Sequence, residues 1–133
     1  MYINERLGSV VIKGIGIDLI ELNRIHHSMQ QSDRLMQRIL TTYEQTVFQK
    51  LKSEQRRVEY LAGRFAAKEA FAKATGQGIG QLSFQHIEVR SNDSGAPELY
   101  VEGYDNVNIF ISITHTKQYA AAQVVIEDTL SSK

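Results

Sequence analysis

The segment Leu61–Gly80, LAGRFAAKEAFAKATGQGIG, constrains the fold most strongly, because it joins a long helical pattern to a run of glycines. Glu69 and Lys73 are four residues apart, so they share one face of the predicted helix. Gly76 follows the last alanines and is typical of a helix C-terminus. A face that combines one carboxylate with several cations suits a metal–phosphate ligand, and it equally suits a solvated surface with ordinary ion pairs.

Residues 9–20, SVVIKGIGIDLI, predict a β-strand. Large apolar residues alternate there with small or acidic ones, Ile15, Ile17 and Leu19 against Gly14, Gly16 and Asp18. This is the two-residue period of a strand, so Asp18 lies on the face opposite the isoleucines. Glycine inside a strand often marks close approach by another backbone or a ligand, with a bulge or tight packing as the alternative.

The rest of the chain predicts helices followed by strands. Residues 21–52 predict a helix in two pieces, with Ser32 and Thr42 as possible N-caps, and Ser53 to Arg57 predicts a connection. The next helix is predicted to cover 58–74. Strand patterns follow at 84–90, 98–101, 108–114 and 120–126. The predicted fold is α+β: one strand, then helices, then an antiparallel group of strands, in a single domain of 133 residues.

The composition excludes several kinds of site. The absence of cysteine excludes disulfides, thiolate catalysis and cysteine-ligated zinc. No apolar run approaches the roughly 20 residues of a membrane span. The first residues, MYINERLGSVV, lack the apolar core of a signal peptide. A cytoplasmic protein is therefore expected.

The charge is uneven although the whole chain is neutral. Residues 34–73 contain nine Lys or Arg against four acidic residues. A basic middle indicates an anionic partner, which could be nucleic acid, an acidic protein or a phosphorylated small molecule. Nucleic acid is disfavoured, because aromatic residues are not interleaved with the basic ones.

Three segments together resemble one family: GIGIDLIELNRI (14–25), GRFAAKEAFAKATGQGIG (63–80) and SITHTKQYAAAQVV (112–125). They are similar to the signature segments of the bacterial holo-[acyl-carrier-protein] synthases, the small single-domain 4′-phosphopantetheinyl transferases. The resemblance implies that fold, with an antiparallel sheet packed against helices, and commonly a homotrimer with the coenzyme A site between subunits. It also implies Mg²⁺-dependent transfer of 4′-phosphopantetheine from coenzyme A (CoA) to a serine of apo acyl carrier protein, releasing adenosine 3′,5′-bisphosphate.

The resemblance assigns the catalytic roles to Asp18, Glu69 and Lys73. Asp18 and Glu69 match the carboxylates that hold the metal in the family, and Lys73 matches the lysine that contacts the phosphates. The general base stays open between Glu69, a metal-bound water and a carboxylate of the carrier protein.

Further residues are expected to bind CoA. Arg64 and Lys68 could reach its phosphates, although Lys68 could equally be a solvent-facing partner of Glu69. Gly78 and Gly80, after the helix, would let the backbone approach the ligand. The residues that resemble the family segment at the nucleotide end of CoA are Ser112, Thr114 and His115.

The carrier-protein face is expected on the basic residues that follow the first segment. Acyl carrier proteins are acidic, so a basic surface would steer and dock them. Arg24 resembles the carrier-contacting arginine of the family, and Arg34 and Arg38 would extend the patch.

Two departures from the family pattern affect these expectations. Residues 1–13 precede the first segment, where the family usually starts almost at once. They are interpreted as an N-terminal extension that is partly strand, with a cloning extension or a disordered tail as alternatives for the first ten. No basic residue lies between Gly80 and Phe84, where some members have one.

Two other functions remain as alternatives. A transferase of the same fold could serve a peptidyl or polyketide carrier, although the short chain favours the fatty-acid type. A non-catalytic trimer that binds CoA or a nucleotide is the alternative from a different class.

Overall fold

The computed structural model describes residues 9–79 and 83–130. The elements of these residues are β1 (Ser9–Glu21), α1 (Leu22–Gln31), α2 (Arg34–Ile39), α3 (Thr42–Lys50), α4 (Glu54–Thr75), β2 (Ile87–Ser91), β3 (Pro97–Val101), β4 (Asn108–His115) and β5 (Tyr119–Leu130). The strands form two antiparallel sheets, one with the order β1–β5–β4 and one made of β2 and β3. The α+β class expected from the sequence is confirmed.

The region predicted as two helical pieces contains three helices, α1 to α3. Thr41, and not Thr42, caps α3: its hydroxyl accepts the N–H of Glu44, and the carboxylate of Glu44 accepts the N–H of Thr41. Asp33, and not Ser32, occupies the N-cap position of α2. Both predicted caps were therefore displaced by one residue.

The connection predicted from Ser53 to Arg57 is wrong. Ser53 is the N-cap of α4, and its hydroxyl accepts the N–H of Arg56. A cluster of short polar residues can form either a turn or a cap, because the same side chains bond the backbone in both. A smaller correction applies to the strand predicted at 84–90, whose first three residues form a 3₁₀ turn, Phe84–His86, before β2 begins at Ile87.

Helix α4 packs closely against the three-stranded sheet along the two glycines of β1. A Cβ atom on Gly16 would collide with the carbonyl oxygen of Ala70, and one on Gly14 with that of Ala74. The glycines thus mark close approach by another backbone, as the sequence predicted. Asp18 is the next residue on the same face of β1, so the packing brings it beside α4.

The opposite face of this sheet, which we call the outer face, is strongly apolar and not covered by any described element. Its β1 residues are each more than half exposed: Val10, Ile12, Ile15, Ile17 and Leu19. A register shift between Ile12 and Gly14 keeps the residues on both sides of the shift on this one face. Phe110 of β4, 55% exposed, lies in the same row as Ile15, because both pair with Val125.

Helix α4 ends as the sequence predicted. Gly76 is its C-cap and has a φ of 79°, in the left-handed region that glycine adopts without strain. None of the helices within residues 9–79 and 83–130 has an apolar stretch of the length that a membrane span requires.

Candidate functional site

The predicted metal and phosphate residues meet where β1 faces α4. Lys73 Nζ donates to Asp18 Oδ1 at 3.0 Å and to the backbone carbonyl oxygen of Ile17, also at 3.0 Å. The Asp18 side chain is 14% exposed, whereas that of Lys73 is 55% exposed. Asp18 is thus held in place and largely shielded, and the lysine amine remains accessible from solvent.

Glu69 belongs to the same cluster. Burial raises the pKa of its carboxyl group above the ordinary range, and the nearby charge of Asp18 raises it further. The cations Lys73 and Arg38 act in the opposite direction and lower the pKa. A carboxylate whose ionisation is opposed by burial and by a second carboxylate beside it forms a site that favours a bound cation.

The donor set fits a magnesium ion that shares its ligands with a substrate. Within the described part of the chain, no group of three or more His, Cys, Asp or Glu side chains could hold a metal ion alone. Mg²⁺ is usually bound through one or two carboxylates together with phosphate oxygens and waters. Asp18 and Glu69 match that requirement, and they do not match a closed structural metal site.

The position of Lys68 contradicts both roles that the sequence predicted for it. It was predicted either to reach the CoA phosphates or to face solvent beside Glu69, and it does neither. Its side chain is completely buried, and Nζ donates to Glu44 Oε1 at 2.6 Å. The reason is rotation around the helix: Lys68 points beneath α4 toward α3, whereas Glu69, the next residue, points toward β1.

Arg64 and His115 line one cavity, as the prediction of a shared ligand requires. The cavity has a volume of about 160 Å³ and lies between the first half of α4 and the end of β4. The Arg64 guanidinium stacks on the ring of Tyr60 at 4.0 Å. Among the described residues, Arg64 Nε and the Tyr60 hydroxyl are buried without a hydrogen-bond partner. Burial raises the pKa of Tyr60 to about 12, so its hydroxyl stays a donor.

Sequence reasoning missed several residues of this cavity. Tyr60 lies one turn and Arg56 two turns before Arg64 on the same helical face, and Glu59 Oε1 lies 3.8 Å from Nε2 of His115. The four-residue spacing of 56, 60 and 64 indicates that these residues share one helical face. The prediction of a connection at 53–57 obscures this spacing.

The other predicted CoA residues are not brought together within one chain. Ser112 and Thr114 lie on the outer face of the sheet, because they pair with Gln123 and Ala121 in the rows of Ile17 and Leu19. His115 points to the other side. Gly78 follows the end of α4 with a φ of 78°. Gly80 lies outside the described residues.

Two of the three predicted carrier-protein residues line one groove. The groove, about 410 Å³, lies between α1 and α2, and Arg34 and Arg38 are among its lining residues together with Ser28 and Gln31. Arg24 is exposed and lies one turn before Ser28 on the same side of α1. Arg38 precedes Ile39, whose carbonyl oxygen accepts from Lys68 of α4, so the groove lies beside the part of α4 that carries Glu69.

Comparison with known proteins identifies what this arrangement is similar to. Residues 14–124 match the family model of the 4′-phosphopantetheinyl transferase superfamily. The chain is 56% identical over 117 residues to the holo-[acyl-carrier-protein] synthase of Oceanobacillus iheyensis, covering 88% of this chain and 98% of that protein. The corresponding synthase of Bacillus pumilus is 54% identical over 118 residues, with 88% and 97% covered.

A solved structure agrees with these relatives. The holo-(acyl-carrier-protein) synthase of Bacillus anthracis, in complex with CoA (3′,5′-ADP), superposes with a TM-score of 0.81 at 49% identity. The match covers 89% of this chain and 98% of that one.

The electrostatics of the cluster predict two opposite changes in the pKa of Glu69. Asp18→Asn removes a negative neighbour and should lower the pKa. Lys73→Met removes a positive neighbour and should raise it. Carbon-13 NMR titration of the labelled glutamate carboxyl groups in metal-free protein measures both. Shifts of the same sign in the two variants would contradict the cluster.

Proposed function

Because this chain belongs to the 4′-phosphopantetheinyl transferase superfamily, we propose that Asp18, Glu69 and Lys73 form the centre at which it modifies a carrier protein. The protein is an enzyme that transfers the 4′-phosphopantetheine moiety of CoA to a serine of apo acyl carrier protein, releasing adenosine 3′,5′-bisphosphate. The observation that supports the assignment of the centre is that β1 and α4 bring two carboxylates and one accessible lysine into a single cluster.

Asp18 and Glu69 would hold Mg²⁺ together with oxygens of the CoA pyrophosphate. When bound, the ion would offset the negative charge of the pyrophosphate and of the leaving phosphate. Close packing of α4 on β1 fixes the two carboxylates relative to each other, and this rigidity suits a reaction that depends on positioning.

Lys73 has the position needed to act on the leaving group. The serine oxygen attacks the β-phosphorus of CoA, the new oxygen–phosphorus bond forms, and the bond to the 5′-phosphate of the nucleotide breaks. The Lys73 amine carries protons that can stabilise or neutralise this phosphate, and its side chain is already more than half exposed. The serine proton passes to a base, for which Glu69 and a carboxylate of the carrier protein are the candidates.

The cavity around Arg64 and His115 would receive a phosphate of CoA. Arg64 Nε is buried and has no partner among the described residues, so a phosphate oxygen would satisfy it. Arg56 and His115 add further donors to the same cavity. This supports the expected role of Arg64 and His115 in binding CoA.

The active unit would be a homotrimer whose sites lie between subunits. Two observations support this proposal. The outer face exposes a continuous row of large apolar residues, a kind of surface that monomers rarely leave in water. Ser112 and Thr114 also lie on that face, away from Arg64 and His115, so one CoA molecule could contact both groups only if two chains contributed to the site.

The groove between α1 and α2 would dock the carrier protein. Its arginines are exposed and suit the acidic surface of an acyl carrier protein. Because the groove adjoins Glu69, a docked carrier protein would present its serine to the carboxylate cluster. The acceptor would be an acyl carrier protein, as the names of the relatives indicate.

The transfer reaction can be tested by intact-mass spectrometry of apo acyl carrier protein after incubation with this protein, CoA and Mg²⁺. A gain of one phosphopantetheine that disappears with EDTA is expected. Asp18→Asn and Glu69→Gln should each lower kcat at least about 100-fold, the loss typical when charge stabilisation is removed from a reacting centre. Asp93→Asn, an exposed aspartate in a turn, is the matched control. CoA binding without any gain in mass would favour the non-catalytic alternative.

Arg24→Ala should raise KM for the carrier protein without a matching rise in KM for CoA. A two- to fivefold change is expected, since an exposed ion pair contributes up to about 1 kcal/mol. The rise should shrink at high salt, because screening weakens the wild-type interaction. Lys50→Ala, which removes an exposed charge from α3, serves as control. Equal changes in both KM values would make Arg24 a structural residue.

Ile17→Asp should break the trimer, because it places a charge in the middle of the apolar outer face. Light scattering after gel filtration should show three times the 15.1 kDa chain mass for the unmodified protein and the single mass for the variant. Transfer activity should fall together with assembly. Tyr100→Asp places the same charge at an exposed aromatic position on β3, away from the outer face, and should leave the mass unchanged. A monomeric unmodified protein with full activity would overturn the proposal.

A further inference from the structure

We propose that Lys68, paired with Glu44, is a positioning residue that fixes helix α2 and its Arg38 against Glu69 of α4. The pair would set the distance between the carrier-docking groove and the carboxylate cluster. This inference rests on the proposed function, because it concerns how the two substrates of that reaction are aligned.

The contacts of Lys68 join three separate segments. All three protons of its ammonium group have an acceptor: Ile39 O at 2.6 Å, Glu44 Oε1 at 2.6 Å and Phe84 O at 3.1 Å. Ile39 ends α2, Glu44 lies in the first turn of α3, and Phe84 begins the 3₁₀ turn. One side chain of α4 thus holds the end of α2, the start of α3 and the turn before β2.

Glu44 completes the connection. Its Oε1 also accepts the N–H of Thr41 at 2.9 Å, and its Oε2 accepts the N–H of Val89 at 2.6 Å. Both Glu44 and Lys68 are completely buried. Because every donor and acceptor of the pair is used, the pair permits only one arrangement of these segments.

The residues next to these anchors are the functional ones. Arg38 precedes Ile39, and Glu69 follows Lys68. Arg38 is also held by a second route, since its guanidinium lies 5.4 Å from the ring centroid of Phe84, whose carbonyl oxygen Lys68 binds. Lys68 Nζ bonds Ile39 O at 2.6 Å, so Arg38 and Glu69 are each one position away from a direct contact between α2 and α4.

Fold stability alone does not explain such a pair. Moving two charges out of water is costly, and apolar residues of similar volume often stabilise a protein equally well or better. What a buried ion pair adds is a unique geometry. Here that geometry links the groove that would receive the carrier protein to the carboxylate that would act on CoA.

The experiment compares Lys68→Met and the double variant Lys68→Met/Glu44→Gln with the unmodified enzyme. The double variant leaves no unpaired buried charge, so it is expected to fold even if the single variant does not. Its kcat/KM for the carrier protein should fall about 10- to 100-fold, the range expected when reacting groups are misplaced by up to about 1 Å. Its Kd for CoA, measured by calorimetry without carrier protein, should change by a smaller factor than its kcat/KM for the carrier protein.

Val101→Ala is the matched control, because it weakens the core in β3 without removing any hydrogen bond of Lys68 or Glu44. At equal loss of Tm, this variant should keep the kcat/KM of the unmodified enzyme. Equal activity losses in Val101→Ala and the double variant would reduce the pair to a stabilising contact and overturn the proposal. Failure of the double variant to fold would overturn it as well. The proposed function has a separate test: it would be wrong if the unmodified protein did not transfer phosphopantetheine.

Discussion

The close contact between the backbones of β1 and α4 is the constraint on which the rest of the structure depends. Gly14 and Gly16 allow the carbonyl groups of Ala74 and Ala70 to approach β1 where any side chain would collide. That approach brings Asp18 to Glu69 and Lys73, although about 50 residues separate them in the chain. It also assigns the two faces of the sheet: one receives the helix, and the other stays apolar and exposed.

Neighbouring charged residues of α4 differ in their burial and in the charges that lie beside them. Burial raises the pKa of the Glu69 carboxyl group, and the charge of Asp18 raises it further, so a bound cation would stabilise the ionised form. Lys68, one residue earlier, faces away from the cluster and is neutralised by Glu44. Lys73 balances Asp18 while its amine stays accessible. Three charged residues within six positions therefore have three different environments, and rotation around the helix accounts for the difference.

Several parts of the fold and site followed directly from sequence patterns. The alternation around Asp18 predicted its face, and the spacing of Glu69 and Lys73 predicted that they share a helical surface. Gly76 predicted the end of that helix. These predictions succeeded because each depends on a local period or on backbone freedom at one glycine. The N-caps at Thr41 and Ser53 were misplaced or missed, since short polar residues have the same local preferences in caps and in turns.

The sequence by itself determined the α+β class, the family, and the residue types that meet in the carboxylate cluster. Only the tertiary structure decided which charged residue is buried and which is accessible. Lys68 finds its partners 16 to 29 residues away along the chain, and no local pattern reports them. The proximity of Arg38 to Glu69, and the separation of Ser112 and Thr114 from His115, likewise depend on how helices and strands pack. The physical reason is that burial and charge pairing arise between elements distant in sequence, whereas periodicity records only the preferences of each element alone.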